Sequence, residues 1–551
     1  MAQLEVSPPS SVKSHIASRA VNSMRPLRVV VIGAGISGIL AAIRFPQRIS
    51  NLSLTVYEKN ADISGTWLEN RYPGCACDIP AHTYQATFAP NHEWSQFYAS
   101  APEIHAYWKK VAHKYGCMKY IKLQQQVISA TWDEDTAKWR LKIRDLTNNV
   151  EYADECNVLI SASGALNSWK WPEIPGLHNF QGKLLHSAAW DESYDYSGKR
   201  VAVIGNGSSG IQIVPAVLPK VTHLDHYIRG KAWLSPTFAR KLVDEREGGV
   251  DNSIELELQS VHGTTIRGTP EQLAAPGFFT ESMKKRLERN PSLQEELIPS
   301  FPPGCRRLTP GPGYLEALTD DKVSLIREGI AQVNETGIVT NDGVHHPVDA
   351  IMCATGFDTS FSPRFPITGR GGRSLAEKWK EFPDTYLSMS TDDFPNYFIS
   401  LGPNSALGSG NLLFVIEKAM DYFTDCVLKM QRDNISSMAP RKQAVDGFFH
   451  YCKDYFDTTV FTHKCRSWYK GGSFDGPISA LWPGSSLHAK EVFASPRWED
   501  FEYRYVDNQP NAWIGDGWTQ DEKDNVINVN YLNDNEIDFP PILQENGIIK
   551  L

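Results

Sequence analysis

Val29-Val-Val-Ile32-Gly33-Ala-Gly35-Ile-Ser-Gly38-Ile-Leu40 is the stretch that decides the fold. Val29–Ile32 is a short β-branched run of the kind that forms a buried parallel strand. Gly33, Gly35 and Gly38 follow at once in the spacing G-x-G-x-x-G, and Ile39, Leu40, Ile43 and Phe45 then recur at helical intervals. A second strand, Leu52–Tyr57, ends at Glu58. Strand, glycine turn, helix and strand in this order predict a βαβ unit that holds a dinucleotide. Gly33 is expected to make the tight turn, Gly35 to admit a pyrophosphate close to the backbone, and Gly38 to let helix and strand pack. The helix N-terminus offers N–H groups to phosphate. Glu58 stands where a carboxylate accepts hydrogen bonds from ribose hydroxyls.

The unit is written twice. Val201–Ile204 leads into Gly205-Asn-Gly207-Ser208-Ser-Gly210, an apolar helix pattern through Val217 follows, and His223–Ile228 is the next strand. Here the chain reaches Arg229, Gly230 and Lys231 where the first copy has Glu58. A guanidinium favours a 2′-phosphate and a carboxylate a bare ribose, so the second copy is expected to hold NADP(H) and the first a different dinucleotide. With 40 glycines in 551 residues, chance supplies about 0.2 such glycine patterns in the whole chain, which makes one match weak and two in context strong.

The repeat extends beyond these units. Gln126–Trp132, Lys138–Asp145 and Val150–Ala153 read as a three-strand meander that leads into Asp154-Glu-Cys-Asn-Val-Leu-Ile-Ser-Ala-Ser-Gly164, a strand ending in Ala-Ser-Gly. A similar meander around Val323–Val344 leads into Asp349-Ala-Ile-Met-Cys-Ala-Thr-Gly356-Phe-Asp358, a strand ending in Ala-Thr-Gly. The fold class is therefore α/β, with two doubly wound Rossmann-like dinucleotide-binding domains. A helical segment over residues 236–301, with a helix at Met283–Leu297, interrupts the second. Residues 26–170 and 380–551 are expected to form one discontinuous domain and residues 171–379 the other, with residues 1–25 a loose tail. The amphipathic run Leu412–Met430 caps or completes the first domain.

Composition narrows the class. Fifty-five basic against 64 acidic residues give a net charge of −9 with no long block of one sign, which speaks against a nucleic-acid binder. The longest apolar run, Val29–Ile43, is broken by three glycines and is short of the roughly 20 residues of a membrane span. The N-terminal residues lack an apolar stretch of signal-peptide length, and a cytoplasmic location is expected. Nine cysteines without a C-x-x-C set point to free buried thiols and to no metal site.

Phe180-Gln-Gly182-Lys-Leu-Leu-His186-Ser-Ala-Ala-Trp190-Asp191 lies between the two glycine loops. It resembles the fingerprint of the type I Baeyer–Villiger monooxygenases, and the likeness covers about residues 26 to 505. The resemblance implies FAD and NADPH as cofactors. Gly65-Thr66-Trp67-Leu-Glu-Asn70-Arg-Tyr-Pro-Gly-Cys-Ala76-Cys77-Asp78 is similar to the family's flavin-side loop. It implies Thr66, Trp67, Asn70, Ala76, Cys77, Asp78, Tyr84 and Val127 beside FAD, together with Gly33, Gly35, Gly38 and Glu58. Gly304-Cys-Arg306-Arg307 resembles the family's basic pair, which implies Arg307 as the catalytic residue, Asp78 as its orienting carboxylate and Arg306 as an NADP contact. Gly205, Gly207, Ser208, Gly210, Arg229, Gly230 and Trp468 complete the implied NADP site. Gly230 replaces a usual Thr and Ser64 a usual Gly.

The resemblance implies insertion of one oxygen of O₂ beside a ketone carbonyl through a C4a-peroxyflavin, with a fixed cation stabilising the anionic oxidant and adduct. The loop Gly65–His82 is most similar to fungal members, which implies a bulky secondary-metabolite or steroid-like ketone. Substrate walls are expected at Asn404–Asn411 and Gly471–Ser486. Rival readings are a flavin monooxygenase acting on nitrogen or sulfur, a dehydrogenase using Cys75 and Cys77, and a nucleotide-binding regulator without catalysis.

Overall fold

The computed structural model describes residues 18–21, 23–237, 261–526, 529 and 532. The two glycine patterns sit at the centres of two five-stranded parallel sheets. In the first, the strand order is Tyr397–Ile399, Val158–Ser161, Leu27–Ile32, Leu52–Tyr57 and Ile121–Lys122. In the second it is Lys183–His186, Ala350–Cys353, Arg200–Ile204, His223–Tyr227 and Val323–Ile326. The middle strands are buried on both faces, as their unbroken Val/Ile runs require. Parallel pairing aligns Val29 with Leu54 and Val158 in one sheet, and Leu224 with Val201 and Val323 in the other.

Each sheet carries a small antiparallel meander. The first runs Gln125–Asp133, Lys138–Asp145 and Val150–Cys156, close to the expectation, with Ile367–Thr368 added at its edge. The second runs Ile330–Val333, Gly337–Thr340 and His345–Pro347. Val323–Ile326, expected in that meander, instead closes the parallel sheet beside His223–Tyr227. Its side chains find cover against the sheet's neighbours, which a four-residue run cannot announce in sequence.

The late chain completes the first unit. Tyr397–Ile399 joins its sheet, and the helix Leu412–Arg432 packs along the helix Ile36–Arg48. Arg44 anchors that contact through ion pairs to Glu417 and Asp421. Ser400 donates to Ser37 at 2.8 Å, fixing the first turn of the glycine-loop helix. Part of the expected loose tail is also held: Arg19 donates to the carbonyls of Gln431 and Arg432, and Arg25 to that of Met430.

The insertion is helical where it is described; residues 238–260 lie outside the described residues. A helix at Pro270–Arg286 begins with Thr269 accepting from Gln272 N–H, and a short one follows at Leu293–Leu297. The single helix expected over Met283–Leu297 is thus split, and Asn290-Pro291 accounts for the break because proline disfavours helix at the preceding residue. Trp233 Nε1 donates to Phe301 O at 2.7 Å and Ser235 N to Thr309 O at 3.0 Å, closing the base of the insertion. No described helix is long and apolar enough to cross a membrane.

Candidate active site

The two glycine loops have the same construction. Gly33 (φ +104°) and Gly205 (φ +111°) lie in backbone regions that side chains avoid, and a Cβ there would sit 2.6 Å from Ala162 O and 2.4 Å from Ala354 O. The small residues that end the final strands are what these turns press against. Gly38 and Gly210 act differently from the expectation of helix–strand packing alone. A Cβ at either would strike the carbonyl of its own loop, Gly33 O at 1.9 Å or Gly205 O at 2.0 Å.

Both glycine loops end in helices with bare N-termini. Gly35 and Gly207 cap them without a side chain, and neither first turn holds an acidic residue. Elsewhere in the chain Thr269, Ser374, Asn411, Ser485 and Thr519 accept such N–H groups. Unsatisfied donors at the positive end of a helix are the chemistry of a phosphate site. A Cβ at Gly207 would meet nothing within 4 Å, so the approach is open. This construction fits a dinucleotide at each loop.

Glu58 is buried at the end of its strand and accepts from Ala34 N–H at 2.7 Å and Asn60 N–H at 2.8 Å. Burial pushes its carboxyl upward, and the two backbone donors oppose that. Ser64 adopts φ +84°, held by its N–H on Ala34 O and a 2.5 Å bond between its hydroxyl and His105 Nδ1. The Gly-to-Ser change is therefore accommodated by local hydrogen bonds. Gly65 follows, its Cβ position 3.0 Å from Gly35 Cα, so the flavin-side loop abuts the first glycine loop.

Along that loop, Trp67 is buried and stands edge-on to Tyr84 at 5.3 Å, while Thr66 is exposed. Asn70 donates to Thr66 O at 2.9 Å and ends the short helix Thr66–Glu69. Cys77 N donates to Ala99 O, and Val127 is buried in the adjoining meander. Burial pushes the thiols of Cys75 and Cys77 up to about 11 and about 12. A redox-active pair needs a stabilised thiolate, so these two residues do not suit the dehydrogenase reading.

The flavin-side loop also meets the second unit. Tyr72 OH donates to Gln212 Oε1 at 2.9 Å, and Gln212 Nε2 donates to Ala76 O at 3.0 Å. At this seam Asp78 receives Arg307: Nε donates to Oδ2 at 2.8 Å and Nη2 to Oδ1 at 2.7 Å. The pair is partly open, with 36% of the Arg307 side chain and 22% of the Asp78 side chain exposed. Asp78 holds the guanidinium firmly charged, against the opposing effect of desolvation. Tyr469, almost wholly buried, lies within reach of Arg307, and burial raises its phenol to about 12.

On the second unit, Arg229 and Ser208 are exposed, and Asn206 Nδ2 donates to Gly230 O at 2.6 Å, tying the glycine loop to the Arg229–Lys231 turn. Arg306 Nη1 donates to Lys231 O at 2.7 Å and lies 3.3 Å from a Cβ position on Gly230. Trp468 is half-buried against Tyr469, ring centroids 4.9 Å apart. The arrangement brings Arg307 to Asp78, and Arg306 to Gly230. The expected walls Asn404–Asn411 and Gly471–Ser486 meet each other. Asn404 donates to the carbonyls of Ile478 and Leu481, and Asn411 caps the helix at Leu412 while donating to Thr83 O.

One expectation is corrected. Cys305 and Cys465 form a disulfide, 160 residues apart in sequence, and the other seven cysteines are buried free thiols. Sequence spacing carries no pairing information, so this bond had no signal in the chain. His186 of the fingerprint is buried and stacks on Trp169 at 4.3 Å. Its Nδ1 accepts from Ala188 N–H, which leaves Nε2 to donate to Thr355 Oγ1 at 3.2 Å. Burial depresses it to about 4, so it is a neutral tie between the linker and Ala354-Thr-Gly356.

Two glycine loops built for dinucleotides, with a fixed cation at the seam between their units, are the parts of a flavin- and nicotinamide-dependent oxidoreductase. Residues 26–224 match the flavin-binding monooxygenase-like family. The chain is 38% identical over 525 residues to the FAD-binding monooxygenase moxY of Dothistroma septosporum, spanning 91% of this chain and 84% of that protein. It is 34% identical over 472 residues to a Baeyer–Villiger monooxygenase of Pseudomonas aeruginosa, spanning 84% and 88%. The fold superposes on cyclohexanone monooxygenase from Rhodococcus sp. Phi1 bound to NADP⁺ with a TM-score of 0.75 and 26% identity, over 88% of this chain and 100% of that one. The chain belongs to the flavin-binding monooxygenases of the type I Baeyer–Villiger kind. It is an NADPH-dependent flavoprotein monooxygenase whose cofactors are FAD and NADP(H).

Proposed function

We propose that this enzyme inserts one oxygen atom of O₂ next to the carbonyl of a bulky ketone, giving an ester or lactone. The observation that carries this reading is the two-pronged Asp78–Arg307 pair at the seam between the nucleotide-binding units. Asp78 takes Nε and one Nη2 hydrogen, which leaves the Nη1 edge of the guanidinium for negative charge that develops on oxygen. Arg rather than Lys suits the place because the planar fork is held in orientation while it stays charged. FAD and NADPH, when bound, supply the reducing equivalents and activate O₂.

We assign residues 26–170 and the described residues from about 361 onward to the FAD domain, and residues 171 to about 360 to the NADP domain; the expected boundary at 379 moves because Ile367–Thr368 pairs with Gln125–Asp133 and Leu375 and Trp379 pack in the first unit's core. Gly33, Gly35, Gly38 and Glu58 hold the first dinucleotide, with Thr66, Trp67, Asn70, Ala76, Cys77, Asp78, Tyr84 and Val127 on its flavin side. Gly205, Gly207, Ser208, Gly210, Arg229, Gly230, Arg306 and Trp468 hold the second. Tyr469 and Trp468 cover the cleft on the side of Arg307 and exclude water there.

The test offers the FAD-loaded enzyme NADPH, O₂ and a panel of small, cyclic and polycyclic ketones mixed with a sulfide, with products identified by mass and NMR. Esters or lactones support the proposal. Sulfoxide as the only oxygenated product would transfer the assignment to heteroatom oxidation.

A further inference from the structure

The Cys305–Cys465 bond joins two loops next to the second dinucleotide cradle. Cys305 immediately precedes Arg306, and Cys465 immediately precedes Arg466. With the two Cα atoms 6.4 Å apart, the bond sets two arginines side by side that are distant in sequence. Like charges repel, and the neighbouring Arg466 adds to the burial that lowers Arg306. Among the described residues, neither Arg306, Arg466 nor Arg229 forms an ion pair with a carboxylate. Two cations forced together without a counter-ion are suited to an anion from outside the chain.

Both side chains are anchored in a way that leaves donors free. Arg306 spends Nη1 on Lys231 O, and Arg466 spends Nε on Gly472 O at 2.9 Å. The loop of Arg466 is itself rigid: Lys470, nearly fully buried, donates to His463 O and Phe474 O at 2.7 Å each. Gly230 belongs to the same picture. A Cβ there would lie 3.3 Å from Arg306 Nη1, so the glycine leaves Arg306 its place against the Arg229–Lys231 turn.

We propose that the Cys305–Cys465 bond holds Arg306 and Arg466 as a paired clamp for the 2′-phosphate of NADP(H), with Arg466 supplying a contact that Gly230 lacks the side chain to make. The inference rests on the reading of the second unit as the NADP site. Arg466 is then a specificity-determining residue and the two cysteines are positioning residues.

The test is calorimetric titration of the FAD-loaded full chain with NADP⁺ and with NAD⁺. Arg466→Ala is expected to weaken NADP⁺ roughly tenfold, the scale of one charge-assisted hydrogen bond, and to leave NAD⁺ unchanged. Cys465→Ser is expected to lower NADP⁺ affinity in the same direction. Reducing the wild type with a phosphine should reproduce that loss and add nothing to Cys465→Ser. An NADP⁺/NAD⁺ ratio unaltered by Arg466→Ala would overturn the proposal. So would nine titratable thiols, rather than seven, in the unreduced, denatured protein. Loss of the ratio in Arg229→Ala together with an unaltered ratio in Arg466→Ala would keep the NADP reading and reject only the clamp. A wild type indifferent to the 2′-phosphate would reject both.

Discussion

Replacing Arg307 by alanine removes a cation that the fold fastens with two hydrogen bonds at the seam between the two units. Its two bonds to Asp78, at 2.7 and 2.8 Å, fix the guanidinium plane, so the remaining N–H groups point in a set direction. A unit positive charge about 4 Å from a developing oxyanion is worth roughly 4 kcal/mol at an effective dielectric constant near 20. Partial exposure of the side chain, 36%, reduces that figure. The expected loss of oxygenated product is therefore roughly 10²–10³-fold, the usual scale for one positioned electrostatic donor. Both glycine loops and Glu58 lie outside the change, so FAD should remain bound. The assay follows NADPH and O₂ consumption alongside product and released hydrogen peroxide. Arg307→Ala should still consume NADPH with little oxygenated product, and Arg307→Lys should fall between because a lysine keeps charge but not the fork. Ester formed by Arg307→Ala at the wild-type rate would refute the role assigned to this residue.

Three further outcomes are expected. Asp78→Ala frees the guanidinium from its fork, and a misplacement of about 1 Å can cost on the order of 10²-fold, so kcat should fall with flavin content unchanged; an unaltered kcat would show that orientation comes from elsewhere. Gly205→Ala places a methyl 2.4 Å from Ala354 O at φ +111°, so NADP⁺ binding should weaken at least tenfold while FAD is retained, as titration against the bound flavin's absorbance would show. His186 and His226 are both depressed to about 4 by burial. Their unfolded forms take up protons first, so the stability they contribute is complete above about pH 6.5 and is lost as pH falls toward 4. By pH 5 this amounts to about 2 kcal/mol for each histidine. Denaturation midpoints that stay flat between pH 7 and 5 would contradict it.

The parts legible in the sequence are those whose physics is local. Leu52–Tyr57 is a strand over the span expected of it, because Leu54, Thr55, Val56 and Tyr57 suit a buried strand and the run is too short for a helix. The glycine loops were legible because a positive φ and a close carbonyl leave no other residue. Val323–Ile326 was misplaced because a short run does not name its partner strand. The helical insertion was recognised as helical, but Pro291 divides it. Arg307 and Asp78 are 229 residues apart, and no spacing rule brings them together. That pair came from family resemblance, and the disulfide had neither signal.

Gly74 sits where the two units touch. A methyl group at this position would lie 2.5 Å from Gln212 O on the helix Ser208–Val217, so it would act as a wedge driven between two bodies that now touch. Asp78 follows four residues downstream, so the loop that makes this contact also carries the carboxylate that fixes the guanidinium plane. The missing side chain is thus what lets the two units touch a few residues from the ion pair.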